Sequence, residues 1–231
     1  MRSETHNQDC MDYMRALPDK AFDLAVVDPP YGIGMDGQEW NNTPCGQPSI
    51  KGKSVGVRIL AKEWDGDVPA AEYWSELQRV SVNQIVWGGN YFTDHLRQSR
   101  CWLCWDKKQP DGLTFSQFEL AWTSFSSPCK TFRMYPTHVA QGVKHHPTQK
   151  PVALYKWLLQ NYAKPCDTIL DTHLGSGSSR IAAYDLGFDF VGIELDKDYF
   201  EAQEQRFAEH IAQPNMLASL PVPAVETVTL F

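Results

Sequence analysis

Six short apolar runs punctuate the chain, near 22–27, 84–88, 101–105, 117–123, 167–171 and 189–194. Each has the length of a buried strand, and each is bounded by polar or turn-forming residues. Helical spacing appears instead near 69–80, 151–163, 177–186 and 197–212. In the second of these stretches Leu154, Trp157 and Leu158 fall at i, i+3 and i+4, and Pro151 suits a first helical turn. Strands that alternate with helices predict an α/β fold: one Rossmann-like domain over 1–213, with a mostly parallel sheet covered by helices on both faces.

Two of the runs end in residues with chemistry of their own. Leu24-Ala25-Val26-Val27 leads into Asp28-Pro29-Pro30-Tyr31, where a buried strand opens into a loop. Consecutive prolines fix φ and restrict the residue before them, so the carbonyl groups there are set in advance. A carboxylate and a main-chain carbonyl in that position suit an exocyclic amine on an aromatic base. Such an amine is a poor nucleophile because its lone pair is delocalised into the ring; two acceptors, Asp28 and the carbonyl of Pro29, draw it towards tetrahedral geometry. Tyr31 offers a flat face for the base. The second run, Thr168-Ile169-Leu170-Asp171, leads into Leu174-Gly175-Ser176-Gly177-Ser178 and a helical stretch. Glycines in such a turn let the backbone approach a ligand closely. About twenty residues after it the run Phe190-Val191-Gly192-Ile193 ends in Glu194, the spacing at which a carboxylate holds ribose hydroxyls in nucleoside-binding α/β folds.

Together these motifs resemble the β-class DNA amino-methyltransferases that use S-adenosylmethionine. The resemblance runs from Asp9-Cys10 and Leu17-Pro18-Asp19 through Asp28-Pro29-Pro30-Tyr31-Gly32 to His146-Pro147-Thr148-Gln149-Lys150-Pro151 and the Gly175 turn. It implies a permuted order, with the catalytic tetrapeptide ahead of the cofactor loop and target recognition between the two. Aspartate at position 28 points to adenine N6, since the cytosine N4 enzymes of the class usually carry serine there. Cytosine N4 methylation and a catalytically silent DNA-binding protein of the same fold stay open as alternatives. By this likeness the catalytic residues are Asp28, Pro29, Pro30 and Tyr31. Cofactor residues are Asp9, Cys10, Asp28, Thr148, Lys150, Asp171, His173, Gly175, Ser176, Gly177, Ser178, Glu194 and Leu195. Within that set Asp9 and Cys10 would meet the adenine, and Lys150 the methionine carboxylate. One departure is Asp171-Thr172-His173, where the class commonly has Asp-Pro-Phe; His173 is expected to replace the aromatic packing.

Charge and composition refine this picture. The formal net charge is −7 over 231 residues, which suits DNA only if the basic residues are segregated. They are: Lys51, Lys53 and Arg58 fall in the loop-like segment 33–63, and Lys130, Arg133 and Lys144 in 126–147, both without acidic neighbours between 41 and 62 and between 126 and 150. Duplex DNA is thus the expected partner. Trp40, Trp64, Tyr91 and the turn Trp87-Gly88-Gly89-Asn90 are aromatic or close-approach candidates beside a flipped base. No apolar stretch reaches the length of a membrane span, the first residues carry no apolar signal core, and six scattered cysteines suit reduced thiols, so a cytoplasmic protein is expected. Cys101 and Cys104 have metal-like spacing, but on an extended run they face opposite sides, and no metal is expected. The tail 214–231 ends in Leu230-Phe231. Packing on its own domain as an edge strand is its plainest reading. The sharper one is docking to a second copy, or to a replication sliding clamp, whose peptide ligands this ending resembles.

Overall fold

The computed structural model describes residues 1–33, 66–112, 116–136 and 149–212. Its strands are β1 (Ser3–Asn7), β2 (Phe22–Val27), β3 (Ser81–Trp87), β4 (Trp102–Asp106), β5 (Phe118–Thr123), β6 (Lys130–Arg133), β7 (Thr168–Asp171) and β8 (Asp189–Glu194). Helices are α1 (Cys10–Arg15), α2 (Ala71–Val80), α3 (Val152–Tyr162), α4 (Ser178–Leu186) and α5 (Lys197–Ala212), with a 3₁₀ turn at Gly89–Tyr91. All eight strands join one sheet in the order β1-β8-β7-β2-β3-β5-β4-β6. The pairings from β1 to β3, and β4 with β6, are parallel; β5 runs antiparallel to both β3 and β4.

Alternation along each strand sends side chains to two cores. From β2, Leu24 and Val26 join Ile85, Trp87, Leu103 and Ile169 under α3 and α4, while Ala25 and Val27 join Val86, Leu170 and Ile193 under α1 and α2. Full burial of a single leucine of this kind, such as Leu158, contributes about 1.5–3 kcal/mol. The buried stripe of α3 is Leu154, Tyr155, Leu158 and Leu159. Trp157 is only partly buried, packing on Phe132 at 5.6 Å, so the face is rotated from the one its spacing predicts. Cys101 is buried in the first core beside Leu103 and Trp105. Cys104 lies one step off that alternation and is partly exposed, so the two thiols do not converge.

Two strands and one short helix fall outside the runs and helical spacings read from the sequence. Ser-Glu-Thr-His-Asn and Lys-Thr-Phe-Arg form β1 and β6, which are the two edges of the sheet and need only one paired side and little apolar cover. Helix α1 is short and begins at an N-cap, where the Asp9 carboxylate accepts the Met11 N–H at 2.6 Å. Among the described residues no helix is long and apolar enough to cross a membrane, and no cluster of three His, Cys, Asp or Glu residues is placed to hold a metal ion. Lys51, Lys53, Arg58, Trp40, Trp64, Lys144, Thr148 and the tail from 213 onward lie outside the described residues.

Candidate active site

In a parallel sheet whose helices change faces, a crevice opens at the carboxyl ends of the strands where the connections diverge. Here the divergence falls between β7, which leads into α4 on one face, and β2, whose other face is covered by α2. A cavity of about 1220 Å³ lies there, reached by Asp28 after β2, Thr172–Ser176 after β7, Glu194–Lys197 after β8 and Gln8–Met11 after β1. That volume is ample for a nucleoside with a side arm.

Prolines 29 and 30 end β2 because neither has an N–H for the ladder. Asp28 is therefore left at the rim of the cavity with both carboxylate oxygens engaged. The Tyr31 hydroxyl donates to Oδ1 at 2.6 Å, and the Lys150 ammonium bonds Oδ2. Lys150 also reaches Tyr31 Oη at 3.2 Å and Glu119 Oε2 at 3.3 Å, and lies 5.4 Å from the centre of the Trp87 ring. Burial works against its charge, yet the carboxylates of Asp28 and Glu119 prevail and hold the ammonium pKa above its usual value. Its ammonium thus pairs with Asp28 and Glu119, and the residue also lines the cavity.

Tyr31 packs within an aromatic cluster. Its ring stacks on Tyr91 with centroids 5.0 Å apart and meets Phe92 edge-on at 6.0 Å. Gly88, at φ +68°, makes room for it: a Cβ there would stand 2.3 Å from Tyr31 Cε1. The Gly88 turn thus accommodates Tyr31, and the exposed aromatic of the stack is Tyr91. Burial, with the charge of Asp28, pushes the Tyr31 phenol well above its ordinary pKa, so it stays a hydrogen donor.

At the other end the glycine turn is held from beneath. Gly177 sits at φ +73° as the N-cap of α4, where a Cβ would press on Gln203 of α5 at 3.1 Å. Arg206 of α5 donates to the Ser176 carbonyl at 2.6 Å and to Ser178 Oγ at 3.0 Å. Glu194 accepts the Gly175 N–H at 2.8 Å and the Asp196 N–H at 2.9 Å, and Asn7 bonds the carbonyls of Glu194 and Leu195. Burial raises the Glu194 pKa, with those N–H groups opposing it. Asp171 is buried, accepting from Ser179 Oγ at 2.5 Å and the His173 N–H at 3.0 Å; burial pushes its pKa up to about 7. Burial also lowers His173 to about 4, so its ring is neutral. That ring packs edge-on against Tyr73 at 5.4 Å, and Thr172 joins Tyr73 Oη at 2.7 Å and His173 Nδ1 at 2.9 Å.

A family model for N6/N4 methyltransferases, described as DNA methylase, matches residues 86–205, more than half of the chain. The protein belongs to this DNA methylase family. The type II methyltransferase M.HinfI of Haemophilus influenzae is 25% identical over 256 residues, spanning 90% of this chain and 68% of that one. The fold is shared with the solved M1.HpyAVI–SAM complex (TM-score 0.56, 16% identity, 88% of this chain and 98% of that one). It is shared as well with the cytosine-N4-specific PvuII DNA methyltransferase (TM-score 0.57, 12% identity, 90% and 86%).

In this methylase Asp9, Cys10, Asp28, Lys150, His173, Gly175, Ser176, Glu194 and Leu195 line the cavity, as does Pro30. Asp171, Gly177 and Ser178 lie behind the wall and shape the turn; Pro29 is buried. The exposed Lys130 and Arg133 part company. Arg133 pairs in register with Asp106 at the active edge of the sheet and bonds its carboxylate at 3.2 Å, whereas Lys130 lies at the opposite end of β6, bonded to Asn161 at 2.7 Å. Tyr73, Tyr155, Gln149 and Tyr199 also line the cavity. Tyr73 and Tyr155 fall in the helical stretches 69–80 and 151–163, and they are core residues that also reach the site. Glu119 was hidden by its place in an apolar run.

Proposed function

We propose that this methylase transfers a methyl group from S-adenosylmethionine to the N6 amine of adenine in duplex DNA. The observation that carries the reading is the position of Asp28, a carboxylate held rigidly at the rim of a nucleoside-sized cavity by Tyr31 and Lys150. Glu194 supports the donor's place at the other end. Its two oxygens each spend one lone pair on a backbone N–H, which fixes the carboxylate and leaves capacity for the ribose hydroxyls. When bound, the donor supplies an electrophilic sulfonium methyl. Asp28 and the Pro29 carbonyl accept the two amine protons and free the nitrogen lone pair for in-line attack, without a covalent enzyme intermediate. Acceptors fixed in advance reorganise little as charge develops. Cys10, its thiol pushed up to about 12 mainly by burial, stays protonated and plays no nucleophilic part. The base leaves the duplex stack to reach Asp28, at a cost of a few kcal/mol. Residues 33–63 and 126–147 are assigned to target recognition.

Incubation with duplex DNA and radiolabelled S-adenosylmethionine, followed by digestion to nucleosides, tests the reading. Label in N6-methyladenine is expected. Label in N4-methylcytosine would move the specificity, and DNA binding without label would mean a silent protein.

A further inference from the structure

We infer that Glu119, at the start of β5, is a positioning residue that holds the Lys150 ammonium in place against Asp28, so that the aspartate presents its remaining lone pairs to an amine proton. This rests on the proposed amine-activating role of Asp28.

The charges form an alternating chain. Asp28 meets Lys150, Lys150 meets Glu119 at 3.3 Å, and Glu119 meets Lys107 at 2.6 Å. Two strands bring the outer pair in: Lys107 follows β4, Glu119 follows the first residue of β5, and the neighbouring residues Asp106 and Phe118 face each other in the antiparallel register. The Lys150 side chain is 2% exposed, so it has no water shell to share its charge, and its position depends on the carboxylates around it. Asp28 spends one lone pair of each oxygen on Tyr31 and Lys150 and keeps the others for the amine, provided the ammonium stays where it is. Glu119 shares the Lys150 charge with Asp28, so the ammonium stands between two anions. Lys107 then balances Glu119, leaving the chain of four neutral. Burial would push the Glu119 pKa up, but the two lysines hold it below the usual carboxylate range, so it remains an anion.

Steady-state kinetics on Glu119→Gln, with calorimetric binding of S-adenosylmethionine, tests this. Expected is a fall in kcat of roughly tenfold or more, as for other small misplacements of reacting groups, with the KM for DNA and the cofactor affinity within about twofold of wild type. Glu119→Asp should recover part of the loss. Because Glu119→Gln strands a buried ammonium and the variant can fail to fold, the paired Lys107→Gln/Glu119→Gln protein, which removes one charge of each sign, provides a second route and should show the same selective fall in kcat. Wild-type kcat in either folded variant, or a loss carried by cofactor affinity, overturns the inference. Absence of methyl transfer by the wild-type protein itself would instead overturn the function on which it rests.

Discussion

On the proposed mechanism the chemistry turns on Asp28, and removing its carboxylate should separate catalysis from folding. Asp28→Ala should lower methyl transfer at least about 100-fold, the usual consequence of losing a preorganised polar group, while calorimetry still reports cofactor binding. Near-normal turnover would refute the assignment. Asp171 and His173 make a second residue-scale prediction, through opposite pKa shifts. For Asp171, raised from 3.8 to about 7, the stabilising share is complete below pH 3.8 and lost as pH rises to 7. For His173, lowered from 6.5 to about 4, it is complete above pH 6.5 and lost as pH falls to 4. Over this shared window the slopes oppose each other. His173→Gln leaves Asp171 uncompensated, so the variant should lose roughly 1–3 kcal/mol relative to wild type between pH 4.5 and 7. Urea unfolding at fixed ionic strength measures it, and a pH-independent difference would count against the half-buried, neutral histidine.

At the scale of elements, the turn after β3 and the edge strand β6 each make a claim that spacing did not predict. Gly88→Ala forces a Cβ towards Tyr31 and a left-handed φ on alanine, with an expected cost of about 1–3 kcal/mol in thermal unfolding. Since the displaced ring carries the hydroxyl that holds Asp28, kcat should fall further than cofactor affinity; equal losses would place Tyr31 outside catalysis. On β6 the two exposed cations differ by their ends of the strand. Arg133→Ala should flatten the plot of log DNA affinity against log salt by about 0.9, one phosphate contact, and Lys130→Ala should leave it unchanged. Equal effects would mean that DNA follows the whole edge. The apolar elements were legible because burial on both faces writes a run into each central strand. β1 and β6 were not, because an edge needs no such run, and the rotation of the α3 stripe followed from the position of Phe132, far away in sequence.

For the molecule as a whole, cofactor binding at the switch between β7 and β2 should stabilise the fold by mass action. S-adenosylmethionine at 100 times its Kd contributes about 2.7 kcal/mol, which in a chain of this size raises Tm by roughly 5–10 °C. Glu194→Ala should lose most of that shift, each protein being compared with its own unliganded state because Glu194 also holds Gly175 and Asp196. An undiminished shift would remove Glu194 from the ribose site.

By itself the sequence determined the α/β class, the Asp28 and Gly175 turns and the spacing to Glu194, because backbone restrictions at proline and glycine and the alternation of apolar residues are local. Only the tertiary structure decided which side chains share a charge or a wall. Lys150 and Asp28 are 122 positions apart and meet because β2 and the entry to α3 border one cavity. Tyr31 faces Tyr91 because Gly88 leaves room beneath it. Glu119 joins them because an antiparallel strand returns to the active edge, a pairing that depends on register across the sheet and leaves no trace in any single run of residues.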